Sequence, residues 1–273
     1  MLPQASSSGR VAPTLQLDPL VAAEAAVPAG FAAAEWRARV QLAACYRVFA
    51  HLGWTELLFN HITLRVPGEA GAFLINPFGL TYREVTPRNL IKIGIDGAPL
   101  EDSPYPVNRA GFVIHSAVHA ARADAHCVMH THTTAGMAIA NKHSGLSHDD
   151  FYGAELYGDV AYHAFEGITV HDAEKPRLVA SLSDKRVLVL RNHGLLVVGS
   201  DVFDAFRWMW TLQRACEVQV ASAALRGPDT ALSDAVRAAC VRDARSFEPQ
   251  GKLDRLLFAG VLRDADLDPA TLA

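Results

Sequence analysis

His126-Cys127-Val128-Met129-His130-Thr131-His132 is the stretch on which the reading of this chain turns. Polar and apolar residues alternate along it, which is the period of a strand. Residues i and i+2 of a strand face the same side, about 7 Å apart at Cα. His130 and His132 can therefore converge on one ion from a rigid base, with metal–nitrogen bonds of about 2.0–2.2 Å. His126 lies on the same face further back. The spacing leaves a plainer reading open, two partly buried imidazoles hydrogen-bonded to backbone.

On either side of this strand the pattern becomes helical. Residues 108–122 read as a helix capped by Asn108. They carry His115 and His119 at i, i+4, a rival ligand pair without an intervening Glu. A short helix follows the strand to about Asn141. Arg186–Leu190 and Leu195–Val198 read as apolar strands around the turn Arg191-Asn192-His193-Gly194. Turns at sheet ends present side chains into clefts, so His193 is the candidate third imidazole. Before the central strand come a helix over 34–52 ended by Gly53, a strand over 57–66, another from Ala72 to Asn76, and Ile91–Ile95. Thr86-Pro87 reads as a helix start. Ser200 or Asp201 caps a long helix to about Leu225, and a further helix spans about 231–246. Helices interleaved with short strands and hairpins predict one α/β domain with a mixed or antiparallel sheet. The division expected is an arm over 1–30, the domain over 31–250 and an irregular tail over 251–273.

Composition narrows the function classes. The chain has 273 residues, half of them hydrophobic and a fifth charged, with a net charge of −4. That balance lacks the basic footprint of a nucleic-acid binder. No apolar run approaches a membrane span, no secretory leader is read, and no glycine-rich phosphate loop follows a strand. Four dispersed cysteines, none in a CxxC pair, are expected as reduced buried thiols of a cytoplasmic protein.

Four motifs in order then resemble the class II aldolase/adducin family. Phe59-Asn60-His61-Ile62-Thr63-Leu64-Arg65 is similar to its asparagine-containing strand motif. Asn76-Pro77-Phe78-Gly79-Leu80, followed by Thr86-Pro87, is similar to its next substrate loop. Cys127 to His132 resembles the paired metal histidines, and Leu190-Arg191-Asn192-His193-Gly194-Leu195 resembles the third. The resemblance implies a three-layer αβα domain with a largely antiparallel central sheet, and a homotetramer with active sites between subunits. It also implies one divalent metal ion (Zn, Mn or Fe) on His130, His132 and His193. Asn60 and the backbone of Gly79 are expected to face a small anionic substrate, and Arg109 reads either as a bidentate grip on its carboxylate or as a solvated arginine at a helix start. Tyr152 and His115 are the proton-transfer candidates.

The chain also departs from the family pattern. With the helical His aligned on His115, Arg109-Ala110-Gly111 stands where the family's aldolases carry Ser-Ser-Glu. Gly111 thus replaces the usual acid/base, and Phe78 replaces a Ser or Thr. A sugar-phosphate aldolase is disfavoured. The remaining expectations are a metal-dependent lyase breaking a C–C bond by decarboxylation or retro-aldol cleavage, an iron oxygenase on the same scaffold, or an adducin-like assembly domain without catalysis.

Overall fold

The computed structural model describes residues 18–247 and 252–268. Seven strands form one sheet in the order β3-β2-β1-β4-β7-β6-β5. They are β1 (His61–Arg65), β2 (Ala72–Ile75), β3 (Ile91–Gly94), β4 (Cys127–Thr131), β5 (Val160–His163), β6 (Val187–Leu190) and β7 (Gly194–Gly199). Only β5 and β6 pair in parallel; every other neighbour is antiparallel. The expected mixed, largely antiparallel three-layer domain is what forms.

Helices cover both faces because the central strands are apolar on both sides. One face packs on α3 (Arg109–Ala121) and α6 (Lys175–Leu182), through Ile114, Val118, Val128, Leu178, Leu188 and Leu196. The other packs on α2 (Ala33–Leu52), α4 (Thr134–Ala140) and α7 (Val202–Ser222), through Phe49, Ile62, Met129, Val197 and Phe206, and α9 (Lys252–Asp264) lies over α7 and α2 through Phe258. The short α1 (Leu20–Ala25) lies on α2, while α5 (Phe151–Glu155) and α8 (Asp234–Ser246) complete the α7 side. Gly53 ends α2 in the left-handed conformation (φ 72°), and Asp201 caps α7 by accepting from the Phe203 and Asp204 amides.

Several local expectations are corrected. Strand β1 starts at His61 rather than residue 57, because Leu57 takes a positive φ of 49° and the Phe59 amide turns back onto the Glu56 carbonyl. Thr86 and Asn89 do exchange capping bonds, but β3 begins two residues later and only one turn forms. The stretch expected as an irregular tail contains α9, whose Phe258 and Leu262 are fully buried. Part of the expected N-terminal arm, residues 1–17, and part of the tail lie outside the described residues. Arg65 of β1 donates to the Ala125, His119 and Arg122 carbonyls, closing the C-terminal end of α3. Cys45, Cys127 and Cys216 are buried and unpaired, and Cys240 is half-buried and also unpaired. Among the described residues no helix is long and apolar enough to cross a membrane.

Candidate metal centre

The antiparallel register brings three chain segments together at one end of the central strands. His61 at the start of β1 pairs with His130 near the end of β4, and Thr131 pairs with Leu195 near the start of β7. The turn from β6 to β7 therefore places His193 beside the end of β4. His130, His132 and His193 each offer a ring nitrogen within 4.8 Å of the others. Their ring centroids form a nearly equilateral triangle with sides of 4.6, 4.8 and 4.8 Å.

Each arm of this triangle has a local cause. His130 Nδ1 lies 2.9 Å from the Leu195 carbonyl, so it carries the proton and leaves Nε2 as a lone pair facing inward. That nitrogen stands 2.7 Å from His132 Nε2. The His132 amide donates to Asn60 Oδ1 at 3.1 Å, while Asn60 Nδ2 donates to the Trp54 carbonyl at 3.2 Å. Thr133 then caps α4 by accepting from the Gly136 amide, which fixes where the chain turns after His132. His193 is set by Asn192, which adopts φ 55°, a conformation asparagine tolerates better than most residues. The Asn192 amide donates to the Ala140 carbonyl, and its side chain donates to Asn141. Gly194 is required by proximity: a Cβ there would meet the Thr131 carbonyl and come within 2.9 Å of the His132 ring.

Burial determines the charge state of the cluster. It lowers the pKa of His130 well below the ordinary imidazole value, lowers that of His132, and brings His193 to about 4, with the neighbouring imidazoles adding to the effect at His130 and His193. All three rings are neutral near pH 7, the form that ligates a cation. Three converging neutral nitrogens, one with its outer N–H anchored on a carbonyl, are a donor set that fits one divalent ion with open coordination positions.

A second layer of histidines lies against the triad on the α3 side. His61 packs 4.2 Å from His115 and 5.2 Å from His130, centroid to centroid. A Cβ on Gly111 would stand 2.7 Å from the His61 ring. The space beyond the Gly111 Cα, where a side chain would stand, is filled by the His61 imidazole from β1. His61 is not among the expected site residues, because the local signal, a glycine inside a helix, does not name the strand histidine that packs on it.

The other expected site residues divide. Asn60 is buried and its amide is engaged at both ends. His115 is fully buried under His61 and hydrogen-bonded through Thr63. Gly79 sits in an exposed turn beyond β2 with φ 107°. Tyr152 is apart from the triad, lining a cavity between α5 and α7. Arg109 opens α3, but its side chain lies outside the described residues. His126, on the same strand face as His130, is exposed at the far end of β4.

The chain is similar to known proteins over most of its length. The profile described as Class II Aldolase and Adducin N-terminal domain matches residues 40–220, and the chain belongs to that family. A Pseudomonas aeruginosa protein provisionally named an aldolase class 2 protein is 50% identical over 194 residues, covering 71% of this chain and 74% of that one. Mouse alpha-adducin is 46% identical over 195 residues, covering 70% of this chain but 26% of the adducin. Among solved structures, an aldolase II superfamily protein from Pseudomonas syringae superposes with a TM-score of 0.82 at 39% identity, covering 87% of this chain and 95% of that one. L-fuculose 1-phosphate aldolase from Glaciozyma antarctica gives 0.74 at 27% identity, covering 88% and 96%.

Proposed function

We propose that the chain is a divalent-metal-dependent lyase that breaks a C–C bond in a small oxygenated carboxylate or carbonyl compound. The observation that carries this reading is the convergence of His130, His132 and His193, with no carboxylate among them. A divalent ion held there would supply Lewis acidity, the chemistry that stabilises developing negative charge on a substrate oxygen. His130, His132 and His193 hold that ion, and Asn60 orients His132 through its backbone amide. Neutral imidazoles leave the ion's charge uncompensated, so the site favours an anionic bidentate ligand such as a 2-oxo or 2-hydroxy acid. His61, seated over Gly111, puts a neutral ring where the family's aldolases carry a carboxylate. Decarboxylation needs an electron sink more than a base, so it suits this surround better than aldol cleavage.

The likeness to alpha-adducin supports a second reading, an assembly domain without catalysis. One experiment separates the two. The protein is purified without chelator, its metal is measured by elemental analysis, and it is incubated under nitrogen with a panel of 2-oxo and 2-hydroxy acids. Bound metal that disappears in His193→Ala, with carbon dioxide or aldehyde released only by the unaltered chain, is the expected result. Metal content unchanged in His193→Ala, or no metal at all, sinks the enzyme reading. Metal without any product leaves the assembly reading ahead, and iron with oxygen uptake in air points to an oxygenase. The expected tetramer, with sites at subunit interfaces, is checked on the same preparation by sedimentation.

A further inference from the structure

On the α7 side of the sheet, α5, α7, α8 and α9 enclose a half-open cavity of about 670 Å³. Its walls are mainly aromatic and aliphatic, including Phe151, Phe206, Trp210, Leu257 and Val261. Binding pockets for small organic molecules occupy about 300–1,000 Å³ and combine such walls with a few polar groups. The polar groups here are uneven in sign. Arg207 is already committed, donating to Asp254 at 3.2 Å and to the Ala244 carbonyl at 2.6 Å. Glu155 also lines the cavity, is half-buried, and has no hydrogen bond or ion pair among the described residues. Burial raises its carboxyl above the usual range, with Arg207 opposing the effect. Asp243 adds a second carboxylate at the exposed rim, also without an ion pair. The walls thus present aromatic rings and unpaired negative charge, while their one guanidinium is satisfied.

We propose that this cavity binds a small organic ammonium compound with an apolar body, its cation set against Glu155 and the aromatic walls. An aromatic surface and an unpaired carboxylate both attract a desolvated cation, and a neutral or anionic molecule of the same shape gains neither interaction. This proposal is independent of the metal centre.

Cys240 reports on occupancy, because it lines the cavity half-buried while Cys45, Cys127 and Cys216 are buried elsewhere. The full chain is alkylated at Cys240 in the presence of 3-phenylpropylamine, 3-phenylpropanol or 3-phenylpropanoate, three bodies of equal shape and different charge. The amine is expected to protect Cys240 at concentrations roughly tenfold below those of the alcohol, with the carboxylate weaker still. In Glu155→Gln the amine loses most of its advantage over the alcohol, while melting temperature and metal content stay as in the unaltered chain. In His193→Ala the protection is unchanged. Equal protection by alcohol or carboxylate, no protection by millimolar amine, or a preference undiminished in Glu155→Gln overturns the proposal. The comparison of the three probes on the unaltered chain decides the matter even if the variant does not fold.

Discussion

His130, His132 and His193 turn ring nitrogens toward one another at the ends of the central strands, whereas His61, His115 and His119 are packed between β1 and α3. The inner cluster is organised by hydrogen bonds that fix its tautomers. His119 Nδ1 donates to the Ala125 carbonyl at 2.8 Å, so its Nε2 must accept the Thr63 hydroxyl proton at 2.7 Å. Thr63 Oγ1 then accepts from His115 Nδ1, also at 2.7 Å. That chain leaves His115 Nε2 as a bare acceptor without a partner among the described residues, as is His61 Nε2. The difference is one of use. The inner rings satisfy the interior of α3 and β1, and their loss should damage the fold. The outer rings satisfy little within the protein, and their loss should damage binding.

Paired substitutions give the sharpest way to break this contrast. His193→Ala is expected to remove bound metal while leaving the chelator-treated protein about as stable as before. His119→Ala is expected to keep the metal but cost roughly 2–4 kcal/mol, from the cavity and from the unpaired Thr63 hydroxyl and Ala125 carbonyl. Urea denaturation with and without chelator measures both. If His193→Ala destabilises the metal-free protein as much as His119→Ala does, the two clusters are not distinct in role.

Acid should expose the inner layer next. Burial holds His61 and His119 at about 3 each, against roughly 6.5 in an unfolded chain. Between those values the unfolded chain binds protons that the folded chain refuses, so stability rises with pH through that window. The contribution is complete above pH 6.5 and is lost as pH falls toward 3. Each such histidine adds a slope of up to about 1.4 kcal/mol per pH unit. In metal-free protein, urea midpoints at pH 7 and pH 5 should therefore differ, and His119→Gln should flatten the dependence. A slope unchanged in that variant means His119 does not carry it.

These two clusters were not equally legible. The His-x-His strand and the Asn192-His193-Gly194 turn carry local signals, a period of two and a forced turn, so the outer site could be read from short windows. The inner cluster joins β1 to α3 across more than fifty residues of sequence, and no local period reports that contact. Gly111 was legible as an absence; that His61 fills its place depends on the β1–β4 register. The same limit applied to the fold. Strands β4, β6 and β7 and the capped helices α2 and α7 stood out, whereas β5, with Val160-Ala161-Tyr162-His163, is four residues long and has no clear alternation. Helix α6 has only eight residues and no side-chain cap, and α9 follows a polar stretch that hid its buried Phe258 and Leu262.

The packing of His61 on Gly111 links the two layers, and substitution there has a smaller effect of predictable sign. Gly111→Ala inserts a methyl 2.7 Å from the His61 ring, an overpacking that costs about 1–3 kcal/mol unless the ring moves. Because His61 lies against His130, a displaced ring should also weaken metal binding. Combining Gly111→Ala with His61→Ala removes the collision, so the pair should be less destabilised than the sum of the two single changes. Melting temperatures of the four proteins in that cycle measure the coupling, and additivity would remove the steric link.

The smallest effect concerns how the outer layer is aimed. Asn60→Ala removes the acceptor for the His132 amide but touches neither ring. Groups that orient metal ligands typically change affinity by about 10–100-fold, so the variant should still bind metal, but more weakly. The loss should appear in competition with a chelator, and Asn60→Asp, which keeps an acceptor oxygen, should recover much of it. If both variants lose affinity equally, Asn60 acts through the Trp54 loop rather than through His132. If neither does, β4 alone holds His132 in place, and the outer triad depends less on its neighbours than the inner layer does.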